Sequence, residues 1–399
     1  MRRRGGDDAH GGERRGGGDA FAVMTGRLTA RDRWLLRMLH EHTVMTTAQL
    51  HRLGWAPGLR QLQGRVRVLR GHGVLDGFTP LRPYGQGSHP LHLVLGPVGA
   101  QILAAEAGTT VARIGYRGRV RTLGVAHRLT LAHDIGVTDL VTGLVPDLAA
   151  HPGAELARWW SARRCARYFG HHTRPDAYLA ITTVLDRART GSAGGGGSVA
   201  VGWWEMFLEF DTGTENLSQL AGKVAGYHAL AEDTGVVTPV GVWFTRAARE
   251  PAARRALADA QQALPVPGRV PILTGTPNPT SAPVPTGHLA RAARPVPGAG
   301  PGRDADFPPG PDLDWFGGAG ARVWLTLHPG AVERVDLVTF ARSYPRTPPL
   351  PADPGTEAAG SGIGGAWDAA MPFPAPSPYP PSPEPESGPP VSGTTGGRR

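Results

Sequence analysis

Lysine is almost missing from this chain: of its 42 lysines and arginines, spread over 399 residues, only Lys223 is a lysine. Cysteine is equally scarce, with Cys165 alone. That excludes an internal disulfide and a zinc site built on several cysteines, and it fits a reducing cytoplasm. No apolar run reaches the roughly 18 residues that a membrane-spanning helix requires, so no membrane span is expected. The first 20 residues, MRRRGGDDAHGGERRGGGDA, lack the apolar stretch of a secretory signal and read as a flexible basic tail.

Arginine, glycine and proline are what the chain has in quantity. The net charge of +9 is carried almost wholly by arginine, whose planar fork of donors suits phosphate, so a polyanionic partner is in keeping with it. A GC-rich genome also enriches arginine, and charge alone does not separate the two origins. The 57 glycines and 39 prolines gather toward the ends, which divides the chain into four: a disordered basic tail (1–24), two organised regions (25–108 and 109–264) and a Pro/Gly-rich, mostly disordered tail (265–399). Stretches such as PVPGRVPILTGTPNPTSAPVPTG and PFPAPSPYPPSPEPESGPPVSG bury too little apolar surface to offset chain entropy. A stable proteolytic fragment ending near Ala263 follows from that reading. Within the tail, residues 321–340 are apolar enough for a short strand or helix that docks back on the body. The run RARTGSAGGGGSVAVG reads as a hairpin tip or insertion.

The first organised region opens with a helix capped by Thr29, in which Trp34, Leu35, Met38 and Leu39 recur at helical spacing. Thr46 or Thr47 caps a short second helix carrying Leu50 and Leu53. A third turns Leu59, Leu62, Val66 and Leu69 inward and stops at Gly71 and Gly73. Two short apolar strands around a Pro/Gly-rich loop and a fourth helix follow. Three helices and then a strand pair is the order of a winged helix-turn-helix. In that arrangement the third helix enters a major groove of double-stranded DNA with Arg60, Gln61, Gln63, Arg65, Arg67 and Arg70 open to phosphates and base edges, and Arg82 sits on the wing. The alternative is a solvated arginine face used for protein contacts.

The second region begins with a helical stretch carrying His127, His133, Asp134 and Asp139, where core or interface positions are a commoner fate than metal ligation. An aromatic segment, RWWSARRCARYF, leads to Pro175-Asp176 at the mouth of a β-branched strand. In WWEMFLEFD a period of two turns Trp204, Met206, Leu208 and Phe210 one way and Glu205, Phe207, Glu209 and Asp211 the other. A turn then leads into a helix with Leu217, Leu220, Val224 and Tyr227 on its apolar side and Lys223 beside them. A further strand and helix complete an α/β unit, so the whole reads as α+β followed by α/β. Paired carboxylates at strand ends with a lysine nearby are what a Mg²⁺ nuclease uses: hard cations take carboxylate oxygens, and the metal polarises phosphate and acidifies bound water. An ordinary strand end capping the next helix uses the same residues for structure.

Taken together, HRLTLAHDIGVTDL, RWWSARRCARYFG, TRPDAYLAI and FLEFDTGTENLSQLAGKVAGY resemble the replication-relaxation family of actinobacterial plasmids and integrative elements, over about residues 27–262. The resemblance implies a DNA-binding protein of plasmid replication and DNA relaxation. Its second domain is further similar to the PD-(D/E)xK, restriction-endonuclease-like fold. That likeness places the family aspartate on Asp176 and the acid on Glu209, and it implies Mg²⁺ held by Asp176, Glu209 and the Phe210 carbonyl. Where that pattern has a strand lysine this chain has Asp211, so the lysine role would pass to Lys223. Three functions fit: a DNA-binding accessory protein working with replication or relaxase proteins, a Mg²⁺-dependent nicking endonuclease, and a winged-helix transcriptional regulator.

Overall fold

The computed structural model describes residues 20–80, 90–116, 124–125, 130–184, 201–277, 320–328, 330–343 and 373–383. Helix α1 (Ala30–His42) starts where the Thr29 hydroxyl accepts from the Asp32 N–H while the Asp32 carboxylate accepts from the Thr29 N–H at 2.9 Å. This reciprocal cap satisfies two donors that a helix start leaves open. After the two-residue strand β1 (Met45–Thr46), Thr46 and Gln49 form the same device at the start of α2 (Thr47–Arg52). Helix α3 (Leu59–Gly71) buries Leu62, Val66 and Leu69, whereas Leu59, expected inside, is 41% exposed. Strands β2 (Leu75–Phe78) and β3 (His92–Leu95) pair antiparallel, and β1 lies on the far side of β3. Helix α4 (Pro97–Glu106) follows.

The second region opens with α5 (Leu131–Ala149), β4 (Glu155–Ser161), α6 (Ala162–Phe169), β5 (Ala177–Val184) and β6 (Val201–Asp211). It continues through α7 (Leu217–Thr234), β7 (Val240–Phe244), α8 (Glu250–Gln262) and β8 (Ile272–Gly275). Strands β9 (Trp324–Thr326) and helix α9 (Leu337–Ser343) come last. The strands form one six-stranded sheet in sequence order. Strands β4, β5 and β6 run antiparallel, β6, β7 and β8 parallel, and β9 returns antiparallel. No helix among the described residues is long and apolar enough to cross a membrane.

The alternation expected in β6 is what separates the two sides of the sheet. Trp204, Met206, Leu208 and Phe210 join a core that runs without interruption through α1 to α4, α5 and the sheet, while Phe207 belongs to a second core under α7 and α8. Helix α5 approaches β6 so closely that a Cβ on Gly136 would lie 2.4 Å from the Phe210 ring, a contact only glycine allows.

The boundary expected at residue 264 is corrected: β8 and β9 continue the sheet past it, and a fragment ending near Ala263 would lack two of the six strands. Strand β8 has only four residues and sits among prolines and glycines, so its stability comes from pairing with β7 and burying Ile272 and Leu273 rather than from a local pattern. The apolar 321–340 stretch supplies β9 and the start of α9. Residues 373–383, inside the tail expected to be mostly disordered, lie against the body. Of the expected 1–24 tail, residues 1–19 fall outside the described residues, as do all of 185–200, while residues 20–25 are helical and bury Met24.

Between the two regions sits a buried ion pair. Arg164 of α6 grips Glu41 of α1 through Nε at 3.0 Å and Nη2 at 2.9 Å, and the Ser161 N–H and hydroxyl donate to the same carboxylate. Both side chains are 1% exposed. Burial raises the Glu41 pKa, but Arg164 and Ser161 outweigh it and bring it down to about 2. A depressed carboxylate contributes stability that is fully present above its ordinary value of 4.5 and lost as the pH falls toward 2. Arg164→Met should therefore lower unfolding stability by about 3–5 kcal/mol at pH 7, and urea titrations should show the deficit shrinking below pH 4.5. A deficit unchanged between pH 7 and pH 3 would rule out the ion pair as its source.

Candidate functional site

Strands β5 and β6 are in register with Ala177 opposite Leu208, which brings Asp176, one residue earlier, beside Glu209 and Phe210. The Asp176 N–H donates to the Leu208 carbonyl at 2.9 Å. Its Oδ2 accepts from the Phe210 N–H at 2.8 Å and pairs with His133 Nε2 at 3.1 Å. His133 comes from the first turn of α5. Burial works against its charge, but hydrogen bonds to Asp134 and Asp176 raise its pKa to about 10, so the imidazolium persists at neutral pH.

Glu209 faces the other side of the sheet, toward α7, and is 2% exposed. Lys223 Nζ lies 2.9 Å from its Oε2, and the Tyr227 hydroxyl donates to its Oε1. Lys223 and Tyr227 are four residues apart on one helix and therefore share a face. Asn216 caps that helix, which fixes the height at which the lysine emerges. Burial, followed by the charge of Asp176, pushes the Glu209 carboxyl up to about 7, while Lys223 and Tyr227 pull against that rise. Burial favours neutral Lys223, but Glu209 overrides it and raises the lysine pKa. Lys223 also reaches Glu215 at 3.1 Å.

Asp211 does not join this group. Its Oδ2 pairs with Arg249 Nε at 2.7 Å and its Oδ1 accepts from the Gly213 N–H, closing the turn after β6. The expected cluster of acids thus divides into three pairs: Asp176 with His133, Glu209 with Lys223, and Asp211 with Arg249. No group of three or more His, Cys, Asp or Glu side chains among the described residues is arranged to hold a metal. The donor set fits Mg²⁺ poorly, because both Glu209 oxygens and Asp176 Oδ2 already accept from cations or N–H and O–H donors.

A second surface belongs to α3. Arg60, Gln61, Gln63, Arg67 and Arg70 are exposed, on the side away from Leu62, Val66 and Leu69. Arg65 departs from the expectation. It is half-buried, with Nε 3.1 Å from Asp32 Oδ1 and Nη2 on Asp32 Oδ2 and the Arg27 carbonyl, so it ties α3 to α1 instead of facing outward. Arg70 touches the Gly77 carbonyl at 3.4 Å. Arg82 and His127 lie outside the described residues. In α5, Asp139 is not a ligand candidate: it binds Arg52 at 2.6 Å and Gln49 at 2.9 Å, both on α2.

Sequence reasoning left His133, Tyr227 and Arg249 out of the site. Only Tyr227 left a usable signal, its four-residue spacing from Lys223. The other two come from segments 43 and 38 residues from their partners.

The Replication-relaxation family profile matches residues 36–246, more than half of the chain and every residue of the three acidic pairs except Arg249. The chain belongs to the replication-relaxation family. Membership suggests a part in the replication or relaxation of plasmids or mobile elements. No match was found among curated proteins or solved structures. The matched span ends just after β7, so α8, β8, β9 and the proline-rich segment lie beyond it.

A carboxyl raised by burial is most comfortable protonated, so its contribution to stability falls as pH rises from the ordinary 4.5 through about 7. Glu209→Gln keeps a partner for Tyr227 but cannot ionise. Relative to this variant, the wild type should lose on the order of 1–3 kcal/mol between pH 5 and pH 8, read from chemical unfolding at each pH. Parallel pH profiles would refute the raised carboxyl.

Proposed function

We propose that this replication-relaxation protein is a cytoplasmic, DNA-binding accessory factor of plasmid or mobile-element replication and relaxation, working beside replication or relaxase proteins. Its N-terminal region is a winged helix-turn-helix. The observation that carries this reading is the α3 face: three arginines and two glutamines stand exposed along one side of a helix whose other side is buried in the body. Arginine and glutamine are the side chains that make phosphate contacts and bidentate base contacts. The antiparallel β2–β3 pair would form the wing. A transcriptional regulator would use the same face, but the family match runs through both regions rather than the first alone.

The second region is a PD-(D/E)xK-like scaffold used for binding rather than for cutting. A helix, three antiparallel strands, a crossover helix and a parallel strand support the likeness, as does Asp176 beside Glu209 on adjacent strands. Against cleavage stands the chemistry of the acids: each carboxylate is neutralised by its own cation, and no open pair of oxygens faces a common point. Lys223, expected as a catalytic helper, serves as the counter-ion that makes a buried Glu209 tolerable.

Duplex DNA binding should weaken steeply with salt, because phosphate contacts release condensed counterions. Arg67→Ala and Arg70→Ala should each reduce the log–log salt slope by about 0.9, measured by fluorescence anisotropy. Arg65→Ala should chiefly lower fold stability. Supercoiled plasmid incubated with protein and Mg²⁺ should remain uncut. Salt-insensitive binding would remove the DNA reading, and Mg²⁺-dependent nicking lost in Glu209→Gln would restore the nuclease.

A further inference from the structure

Residues 373–383, FPAPSPYPPSP, contain six prolines, and every one of the eleven residues is either a proline or immediately precedes one. Proline fixes its own φ, and the residue before it is pushed to an extended conformation. Such a stretch is extended before it docks, and ordering it costs little entropy. It also has few N–H groups to offer, so a surface that recognises it must donate to its carbonyls.

The body does so at three points. Trp34 Nε1 donates to the Ser377 carbonyl at 2.7 Å, Arg31 Nη1 to the Pro381 carbonyl at 3.0 Å, and Arg164 Nη2 to the Phe373 carbonyl at 3.0 Å. Two aromatic anchors alternate with these bonds. Phe373 meets the His40 ring edge-on at 5.1 Å, and Tyr379 packs against the main core while its hydroxyl accepts from the Leu156 N–H at 3.1 Å. Leu156 lies on β4, the edge strand of the sheet, where the pairing register shifts. Pro378 between the anchors is buried. Donors aimed at carbonyls, with aromatic contacts between them, are the chemistry by which proline-rich ligands are recognised.

We propose that the face made by α1, Arg164 and the β4 edge is a receptor for a proline-rich peptide, occupied in cis by residues 373–383. The segment is thus an exchangeable ligand carried on the same chain. It holds α1 against the β4 edge from outside, just as Glu41 and Arg164 do from within. This assignment is independent of DNA binding and of the acidic pairs.

The test uses the full chain with a protease recognition sequence inserted between residues 350 and 365, downstream of α9. After cleavage, the C-terminal fragment should co-elute with the body on size exclusion. A synthetic peptide spanning 371–385 should displace it, whereas the same peptide with Tyr379→Ala should need at least tenfold more, and one with Phe and Tyr relocated should fail. Trp34→Phe in the body, which keeps a ring but removes the donor, should release the fragment at lower peptide concentration. Loss of the fragment on cleavage alone would overturn the proposal. So would a fragment that no excess of peptide displaces, since that would make it a fixed part of the fold, and so would equal displacement by the relocated peptide.

Discussion

Glu41 and Arg164 hold the geometry on which the remainder depends. A carboxylate and a guanidinium taken fully out of water cost several kcal/mol each unless their hydrogen-bonding capacity is filled. Here it is filled: the fork of Arg164 and both donors of Ser161 converge on one carboxylate. Because the pair tolerates little displacement, it fixes α1 against the corner between β4 and α6. Burial drives the neighbouring His42 down to about 4, so it stacks uncharged on Trp159 at 3.8 Å. A further N–H of Arg164, on Nη2, goes to the Phe373 carbonyl. One side chain thereby joins the N-terminal region, the sheet and the proline-rich segment.

The acidic residues at the end of β5 and β6 show how little a set of residue types says until their partners are known. Two carboxylates and a lysine can surround a cation, or the lysine can itself be the cation. The distances select the second arrangement, since Lys223 and Tyr227 occupy Glu209 from one side of the sheet while His133 occupies Asp176 from the other. The single lysine in an arginine-rich chain is then explained by shape. Its slender stem reaches a carboxylate buried beneath α7 and still leaves the ammonium in contact with Glu215 at the surface.

What the sequence made legible was local. The caps at Thr29 and Thr46, the stripe of α3, the alternation of β6 and the helix after Asn216 all depend on neighbours within a turn or a strand, and periodicity records those. What it left hidden depends on partners far along the chain. Arg65 looked outward because nothing within α3 reveals that Asp32, 33 residues earlier, waits beneath it. Asp211 looked like a companion of Glu209 on one strand face because Arg249 is 38 residues away. Strand β8 and residues 373–383 were lost among prolines for a different reason: composition measures what a segment can bury alone, and both segments are stabilised by surfaces that other parts of the chain provide.

Strand β9 and the proline-rich segment cover opposite ends of the sheet, yet both are encoded well after β8, the latter by about a hundred residues. Synthesis at roughly 5–20 residues per second leaves about 2–10 s in which β4 and β8 have emerged with neither edge protected, and about 5–20 s before the proline-rich segment follows. Unpaired edges of that kind template pairing with other chains. Nascent chains crowded on one message would therefore meet during the most adhesive stage of their folding, and the pace of translation through the glycine- and proline-rich codons becomes a determinant of how much protein is recovered in its native form.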